Sequence, residues 1–274
     1  MHDERGPYSI VRKPGDTPPK LPGRVLVRED AGEAADTLAA DLFGLASTAA
    51  RNHGEAHIAL QATPAIEPLL RVLLIDPTFR WFPWEKTHVW LVDEVWRETV
   101  DETGDARLRY PVLRDYIVEH SGIPAANVHA IGSGGVDEGV RAAAEIGARQ
   151  YADALRAALI WRTTGSARMD VCVLTVMPTK IEGIALAADY LDESGDVAIM
   201  GVRIEDEVGA GKSEVCASSM TPAMVSRSEC VCVLAAGAAV RPHVVAWDMG
   251  ERKVRGVPMA GEMRWYVDRD ACPE

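Results

Sequence analysis

The chain has 274 residues, enough for one large α/β domain or two small ones, and its 47% hydrophobic and 26% charged residues are ordinary for a globular protein. Asp and Glu outnumber Lys and Arg by 41 to 29, and the formal net charge of −12 argues against nucleic acid and anionic membrane as partners. No apolar run approaches the length of a membrane span and no N-terminal apolar leader is visible, so a cytoplasmic location is predicted.

Strands and helices alternate in the first half of the chain. Residues 1–22 are rich in proline and are predicted to form an extended arm, followed by a single domain over residues 23–274. Strands are predicted over residues 24–30, 57–64 and 86–92, the second running into a turn. Helices are predicted over residues 33–53, where Ala and Leu recur at helical spacing, and from Pro64 to Asp76.

The second half continues the alternation. Helices are predicted over residues 109–121 and 136–161, and Pro222 opens a short one. Continuous apolar runs predict buried strands over residues 169–176, 196–204 and 229–237, and residues 265–268 have a strand-like pattern. This order predicts an α/β fold of three layers, with a mainly parallel sheet covered by helices on both faces.

An apolar run from His88 to Val92 ends on the paired carboxylates of Asp93 and Glu94. A buried strand that ends this way delivers acidic groups to its carboxyl-terminal edge, where open α/β sheets bind ligands. The alternative is a structural role, in which the acidic groups cap a loop or a helix N-terminus. Tyr110 and Arg114 lie one helical turn apart and could brace the pair.

The order of these segments resembles the 6-phosphogluconolactonase family, relatives of glucosamine-6-phosphate deaminase. In that family a strand ends in Asp-Glu-Arg, a helix carries Ser-Asn-Tyr, and an Ile-Pro-x-x-x-Val-His segment follows. The matching residues here are Asp93, Glu94, Tyr110, Arg114, Ile123, Pro124, Val128 and His129. The resemblance extends over residues 24–271. It implies a three-layer α/β/α fold, a phosphorylated sugar or other small anion as ligand, hydrolysis of 6-phosphogluconolactone in the pentose phosphate pathway, and no cofactor.

The loop that would hold the phosphate departs from the family pattern. The family has Ser-Gly-Gly-Ser-Thr-Pro, in which glycines let backbone N–H groups close on the phosphate. The corresponding residues 60–64 keep Thr63 and Pro64 but have no glycine. The Gln61 amide and the Thr63 hydroxyl could still bind a polar group. The alternative is a plain turn between a strand and a helix.

The other family elements are also altered. The resemblance places Ile181 where the family has the histidine that acts as general base, and isoleucine cannot accept a proton. Glu182 could act as a substitute base, and Lys180 is either a new anion contact or a solvated surface residue. Val95 stands where the family has the arginine after Asp-Glu, and Arg97 could substitute for it. A family lysine after the last large strand is missing, although Arg241 follows.

Two functional hypotheses remain open. One is a divergent phosphosugar hydrolase or isomerase that uses Asp93, Glu94 or Glu182 as acid or base, with Gln61, Thr63, Arg97, Tyr110, Arg114, Lys180 and Arg241 as ligand contacts. The other is a non-catalytic protein that keeps the fold for binding or assembly. The residue chemistry favours the second hypothesis, whereas family resemblance favours the first.

The remaining motifs are weaker. The five cysteines predict no disulfide framework, and Cys230 and Cys232 are expected on one face of a strand as core residues. The seven histidines show no metal spacing, so no metal site is predicted. Lys212 and Ser213 resemble the end of a P-loop, but the segment is polar and is predicted to be a flexible loop. The aromatic residues between Trp81 and Trp96 predict core packing or, alternatively, a contact surface for a protein partner.

Overall fold

Two β-sheets contain the strands of the computed structural model, which describes residues 14–96, 107–132, 139–160, 168–178, 197–205 and 212–274. The strands, in chain order, are β1 (Arg24–Arg28), β2 (Ala56–Leu60), β3 (Thr87–Leu91), β4 (Asp93–Trp96), β5 (Val128–His129), β6 (Val171–Thr175), β7 (Val197–Glu205), β8 (Lys212–Met220), β9 (Cys230–Ala235) and β10 (Glu262–Asp268). The α-helices are α1 (Ala31–His53), α2 (Glu67–Ile75), α3 (Tyr110–Leu113), α4 (Val140–Leu159), α5 (Pro222–Ser226) and α6 (Arg241–Asp248).

The larger sheet is entirely parallel and has the order β1-β10-β9-β6-β2-β3-β5. Its central strands β2, β6 and β9 are buried at every position, which explains the continuous apolar runs of β6 and β9. Helices flank this sheet, and the predicted three-layer α/β/α fold with a mainly parallel sheet is confirmed. All five cysteines are buried and free, and the sulfur atoms of Cys230 and Cys232 lie 3.7 Å apart on one face of β9.

The second sheet was not predicted. It is antiparallel with the order β4-β8-β7, and the acidic pair Asp93 and Glu94 begins its first strand instead of a loop. Lys212 and Ser213 were predicted in a flexible loop, but they open β8 and pair with β7. A P-loop requires a helix at this point, so the antiparallel pairing of β8 excludes that motif.

Helix boundaries follow local chemistry. The Asp30 carboxylate accepts the Glu33 N–H and begins α1, and Gly54 ends it at a left-handed φ of 87°. The helix predicted over residues 109–121 is the short α3 followed by one π-helical turn, Arg114–Val118. The helix predicted over residues 136–161 is described from Val140 to Leu159. None of the helices in the described ranges is long and apolar enough to cross a membrane.

The described part of the predicted arm, residues 14–22, docks on the body. Pro19 and Leu21 are buried, and the Trp265 indole N–H donates to the Pro22 carbonyl at 2.9 Å. The Arg269 guanidinium donates to the Pro14 carbonyl at 2.8 Å. Residues 1–13 of the arm lie outside the described residues, and the boundary at residue 23 stays a prediction.

Candidate functional site

The candidate site lies at the carboxyl-terminal ends of three adjacent parallel strands, β6, β2 and β3. Gln61 and Thr63 follow β2, Asp93 comes two residues after β3, and Thr175 ends β6. All four side chains are fully buried. The sheet order brings them together because the ends of neighbouring parallel strands meet at one edge.

Gln61 links the three strands through its side-chain amide. Its Oε1 atom accepts the backbone N–H of Thr175 at 2.9 Å, and its Nε2 atom donates to Asp93 Oδ2 at 3.0 Å. Its own backbone N–H donates to the Val173 carbonyl at 2.9 Å. The side chain therefore occupies the space between the strand ends and satisfies polar groups that would otherwise be buried without partners.

Thr63 turns its hydroxyl toward β6. The Thr63 and Thr175 hydroxyl oxygens lie 2.9 Å apart, and Thr63 also contacts the Met177 sulfur at 3.6 Å. The Thr63 side chain makes no capping bond to the 3-10 turn Pro64–Ile66 that follows. Residues 60–64 thus form a turn between strand and helix whose polar side chains point into the protein.

Asp93 is paired with a residue that the sequence did not single out. The Nε atom of Arg109 lies 3.3 Å from Asp93 Oδ1, and the Arg109 side chain is only 3% exposed. Among the described residues, the Nη2 atom of Arg109 has no hydrogen-bond partner. The only signal in the sequence was its position directly before Tyr110, the residue that matches the family motif.

Glu94 is fully buried and binds the backbone of residues 108–110 at the start of α3. Its Oε1 atom accepts the N–H groups of Val95 at 3.0 Å, Leu108 at 3.0 Å and Arg109 at 2.7 Å, and its Oε2 atom accepts that of Tyr110 at 3.0 Å. Desolvation by burial raises the pKa of Glu94 to about 7, although these N–H donors oppose the shift. These contacts are the ones that the capping interpretation of the sequence expects, and a catalytic role for Glu94 stays a prediction.

The other candidate ligand contacts that the structure describes lie in different surroundings. The Arg107 guanidinium lies over the Tyr110 ring, 4.1 Å from the ring centre, and the backbone N–H of Tyr110 donates to Glu94. Arg114 pairs with Asp115 at 2.8 Å, and Arg241 pairs with Glu274 at 2.8 Å. The remaining candidates, Arg97, Lys180 and Glu182, lie outside the described residues, as does Ile181.

The aromatic segment is mostly core. Phe82, Trp90 and Trp96 are buried, whereas Trp81 is 75% exposed and has the Arg80 guanidinium 5.5 Å from its ring centre. A contact surface for a protein partner at Trp81 remains a prediction.

The chemistry available to the buried network is limited. A general acid or base must reach the proton that it transfers. Asp93 and Glu94 are both fully buried, and their oxygens are engaged by Gln61, Arg109 and backbone N–H groups. As arranged, the two carboxylates fix the strand ends and the loop before α3.

Comparison with known proteins gives one family match. The family model for "Glucosamine-6-phosphate isomerases/6-phosphogluconolactonase" matches residues 29–176. A curated relative is the GDH/6PGL endoplasmic bifunctional protein of Oryctolagus cuniculus, which is 24% identical over an alignment of 287 residues. The match covers 97% of this chain and 33% of that protein, so the chain spans about a third of the length of this relative.

Solved structures share the fold at low sequence identity. The 6-phosphogluconolactonase of Trypanosoma cruzi has a TM-score of 0.67 and 14% identity, with 93% of this chain and 97% of that chain covered. The 6-phosphogluconolactonase of Thermotoga maritima has a TM-score of 0.65 and 16% identity, with 89% and 99% covered. A monomeric glucosamine-6-phosphate deaminase has a TM-score of 0.63 and 14% identity, with 90% and 98% covered.

Proposed function

The chain belongs to the glucosamine-6-phosphate isomerase/6-phosphogluconolactonase family, and from this membership we propose a 6-phosphogluconolactonase-like protein of carbohydrate metabolism whose lactone hydrolysis is lost or altered. The alternative is a non-catalytic protein that keeps the fold for binding or assembly. The two differ in whether any catalysis remains.

The observation that carries the proposal is the position of the Gln61 side chain. A phosphate cradle needs backbone N–H groups that point at the ligand and glycines that let the chain approach it. Here Gln61 follows β2 and has its amide bound to the Thr175 N–H and to Asp93. The polar groups at the strand ends are therefore bonded to Gln61 and not available to a ligand, which supports a loss of lactone hydrolysis.

The sequence supports the same conclusion from another loop. By the family resemblance, Ile181 stands at the position of the general base, and its side chain cannot take a proton from water. Glu182 is the adjacent carboxylate and the alternative base. Because both residues lie outside the described ranges, this support comes from the sequence and from the resemblance alone.

One contact favours retention of anion binding. Arg109 is a guanidinium buried next to Asp93, and its Nη2 atom is not hydrogen-bonded by any residue in the described ranges. Guanidinium groups bind phosphate and carboxylate through paired N–H donors. Because the Arg109 side chain is only 3% exposed and already faces the Asp93 carboxylate, an anion can reach it only by displacing protein groups. A non-catalytic protein that binds a small anion is therefore the second and weaker candidate function.

The decisive experiment is a hydrolysis assay with freshly generated 6-phosphogluconolactone, run beside an authentic lactonase and a protein-free blank. We expect no rate above spontaneous hydrolysis. A turnover of even about one per second, which is at the low end for enzymes, would overturn the expected loss of hydrolysis and leave only an altered mechanism if Glu182→Gln abolished it. Such a result would make Glu182 the base.

A further inference from the structure

A second group of polar side chains lies at the opposite edge of the parallel sheet. Glu55 directly precedes β2, and His57 and His88 are paired residues near the amino-terminal ends of β2 and β3. Gln61 lies four positions beyond His57 along the chain, about 13 Å away at the usual rise of a strand. We propose that Glu55, His57 and His88 form a binding site for a divalent transition-metal ion.

The distances suit such an ion. Glu55 Oε1 lies 2.8 Å from His57 Nε2, and Glu55 Oε2 lies 3.7 Å from His88 Nε2. One ligand atom from each residue can be chosen so that all three lie within 4.8 Å of one another. Metal–ligand bonds of 2.0–2.1 Å place tetrahedral ligand atoms about 3.3 Å apart. The separations are therefore near those that an ion needs. The His57 and His88 rings stack with centres 4.6 Å apart and planes 7° from parallel, so at least one imidazole must rotate before both Nε2 lone pairs face the same ion.

The donor set indicates the class of ion. Two imidazoles and one carboxylate suit zinc and its first-row neighbours, whereas magnesium and calcium prefer oxygen ligands. The side chains of His88 and Glu55 are 22% and 30% exposed, so an ion can enter from solvent. His57 is only 1% exposed and forms the inner wall.

His88 is oriented as metal-binding histidines usually are. Its Nδ1 atom lies 3.0 Å from His129 Nε2, so Nδ1–H can donate to His129 while Nε2 presents its lone pair toward Glu55. A hydrogen bond from the second ring nitrogen fixes the tautomer of a ligating histidine. His129 is held in place because its ring stacks on Trp90 with centres 3.6 Å apart.

His57 makes binding conditional on a proton shift. The Trp90 indole N–H, which can only donate, lies 3.0 Å from His57 Nδ1. Without an ion, neutral His57 therefore carries its proton on Nε2 and donates it to Glu55. Coordination through Nε2 moves that proton to Nδ1 and breaks the bond from Trp90. Ion binding and the Trp90 hydrogen bond thus exclude each other, so Trp90 weakens the site.

Calorimetric titration of the untagged, chelator-stripped full chain with zinc chloride tests the proposal, with magnesium chloride as the ion control. We expect one zinc per chain and no magnesium binding. Glu55→Gln and His88→Ala change partly exposed side chains, and each should weaken zinc binding at least tenfold. His120→Ala removes an exposed histidine elsewhere and should leave the affinity unchanged.

Trp90→Phe distinguishes this site from zinc bound at a surface histidine, whose affinity would not depend on Trp90. It removes the opposing donor but keeps an aromatic ring, so zinc affinity should increase about two- to tenfold. Unchanged affinity in a folded Trp90→Phe would remove His57 from the ligand set and overturn the three-ligand site. If Trp90→Phe does not fold, the zinc affinities of Glu55→Gln and His88→Ala test the proposal. Wild-type affinity in either variant would overturn it. The absence of zinc binding by the wild type would overturn it as well. No substrate is present, so the result is independent of lactone hydrolysis.

Discussion

The Arg109 guanidinium lies 3.3 Å from the Asp93 carboxylate, and both side chains are closed off from solvent. Removing one partner of a buried ion pair leaves the other charge without compensation, which destabilises a protein far more than loss of an exposed pair. Neutralising Asp93 therefore distinguishes a structural role from a catalytic one. A structural carboxylate should lower the stability of the fold when it is neutralised, whereas a carboxylate held for catalysis should not.

Asp93→Asn should lower the melting temperature and reduce the free energy of unfolding by about 3 kcal/mol or more, because Arg109 loses its counter-charge. Urea unfolding at pH 7 measures the change. Asp115→Asn is the matched control, since Asp115 is 55% exposed and pairs with Arg114 at the surface. That control should change stability by less than about 1 kcal/mol. A raised melting temperature in Asp93→Asn would instead indicate a carboxylate held for function.

Glu94 should make stability depend on pH. Burial raises its pKa from 4.5 to about 7, so the folded state binds this proton more tightly than the unfolded state. The free energy of unfolding should therefore fall as pH rises between about 4.5 and 7, and level off above that range. The shift corresponds to roughly 3 kcal/mol.

Urea unfolding of the wild type and Glu94→Gln at pH 5, 6, 7 and 8 isolates this contribution. The stability of the wild type relative to the variant should decrease across the series, because glutamine does not titrate. Parallel pH curves for the two proteins would show that Glu94 does not titrate in this range.

Gln61→Met should destabilise the fold while preserving the size of the side chain. It removes the bond to Asp93 and leaves the Thr175 N–H buried without an acceptor. We expect a loss of about 2 kcal/mol or more in the free energy of unfolding, from the usual penalty for an unsatisfied buried group. Gln150→Met, at an exposed position of α4, is the control and should be nearly neutral. Equal effects of the two changes would mean that Gln61 does not hold the strand ends together.

Titration of the protein with 6-phosphogluconate should give a dissociation constant weaker than about 1 mM. The loop of residues 60–64 has no glycine, and its side chains bind protein groups. Micromolar binding that weakens strongly with added salt would contradict this expectation. Comparison of Arg97→Ala, Lys180→Ala and Arg241→Ala would then identify the cation that rebuilt the anion site.

The sequence determined the family and the order of the main helices and of most strands of the parallel sheet. Buried parallel strands need apolar residues on both faces, so runs such as those in β6 and β9 can be recognised without a structure. The family motif around Asp93 and Glu94 also survived as a local pattern, and the expectation that a carboxylate there would be held by backbone N–H groups agrees with the contacts of Glu94.

Only the tertiary structure decided which side chains meet. The apolar run of β7 was recognisable as a strand, but β4 pairs with β8, far along the chain, so the pairing of the second sheet left no local signal. Arg109 meets Asp93 because residues 107–109 lie against β4, where the Leu108 N–H donates to the Val95 carbonyl. His57 and His88 become neighbours through the register of β2 and β3. Contacts between distant residues depend on sheet order and register, which follow from how the whole core packs, whereas hydrophobic periodicity reports only the local environment of each segment.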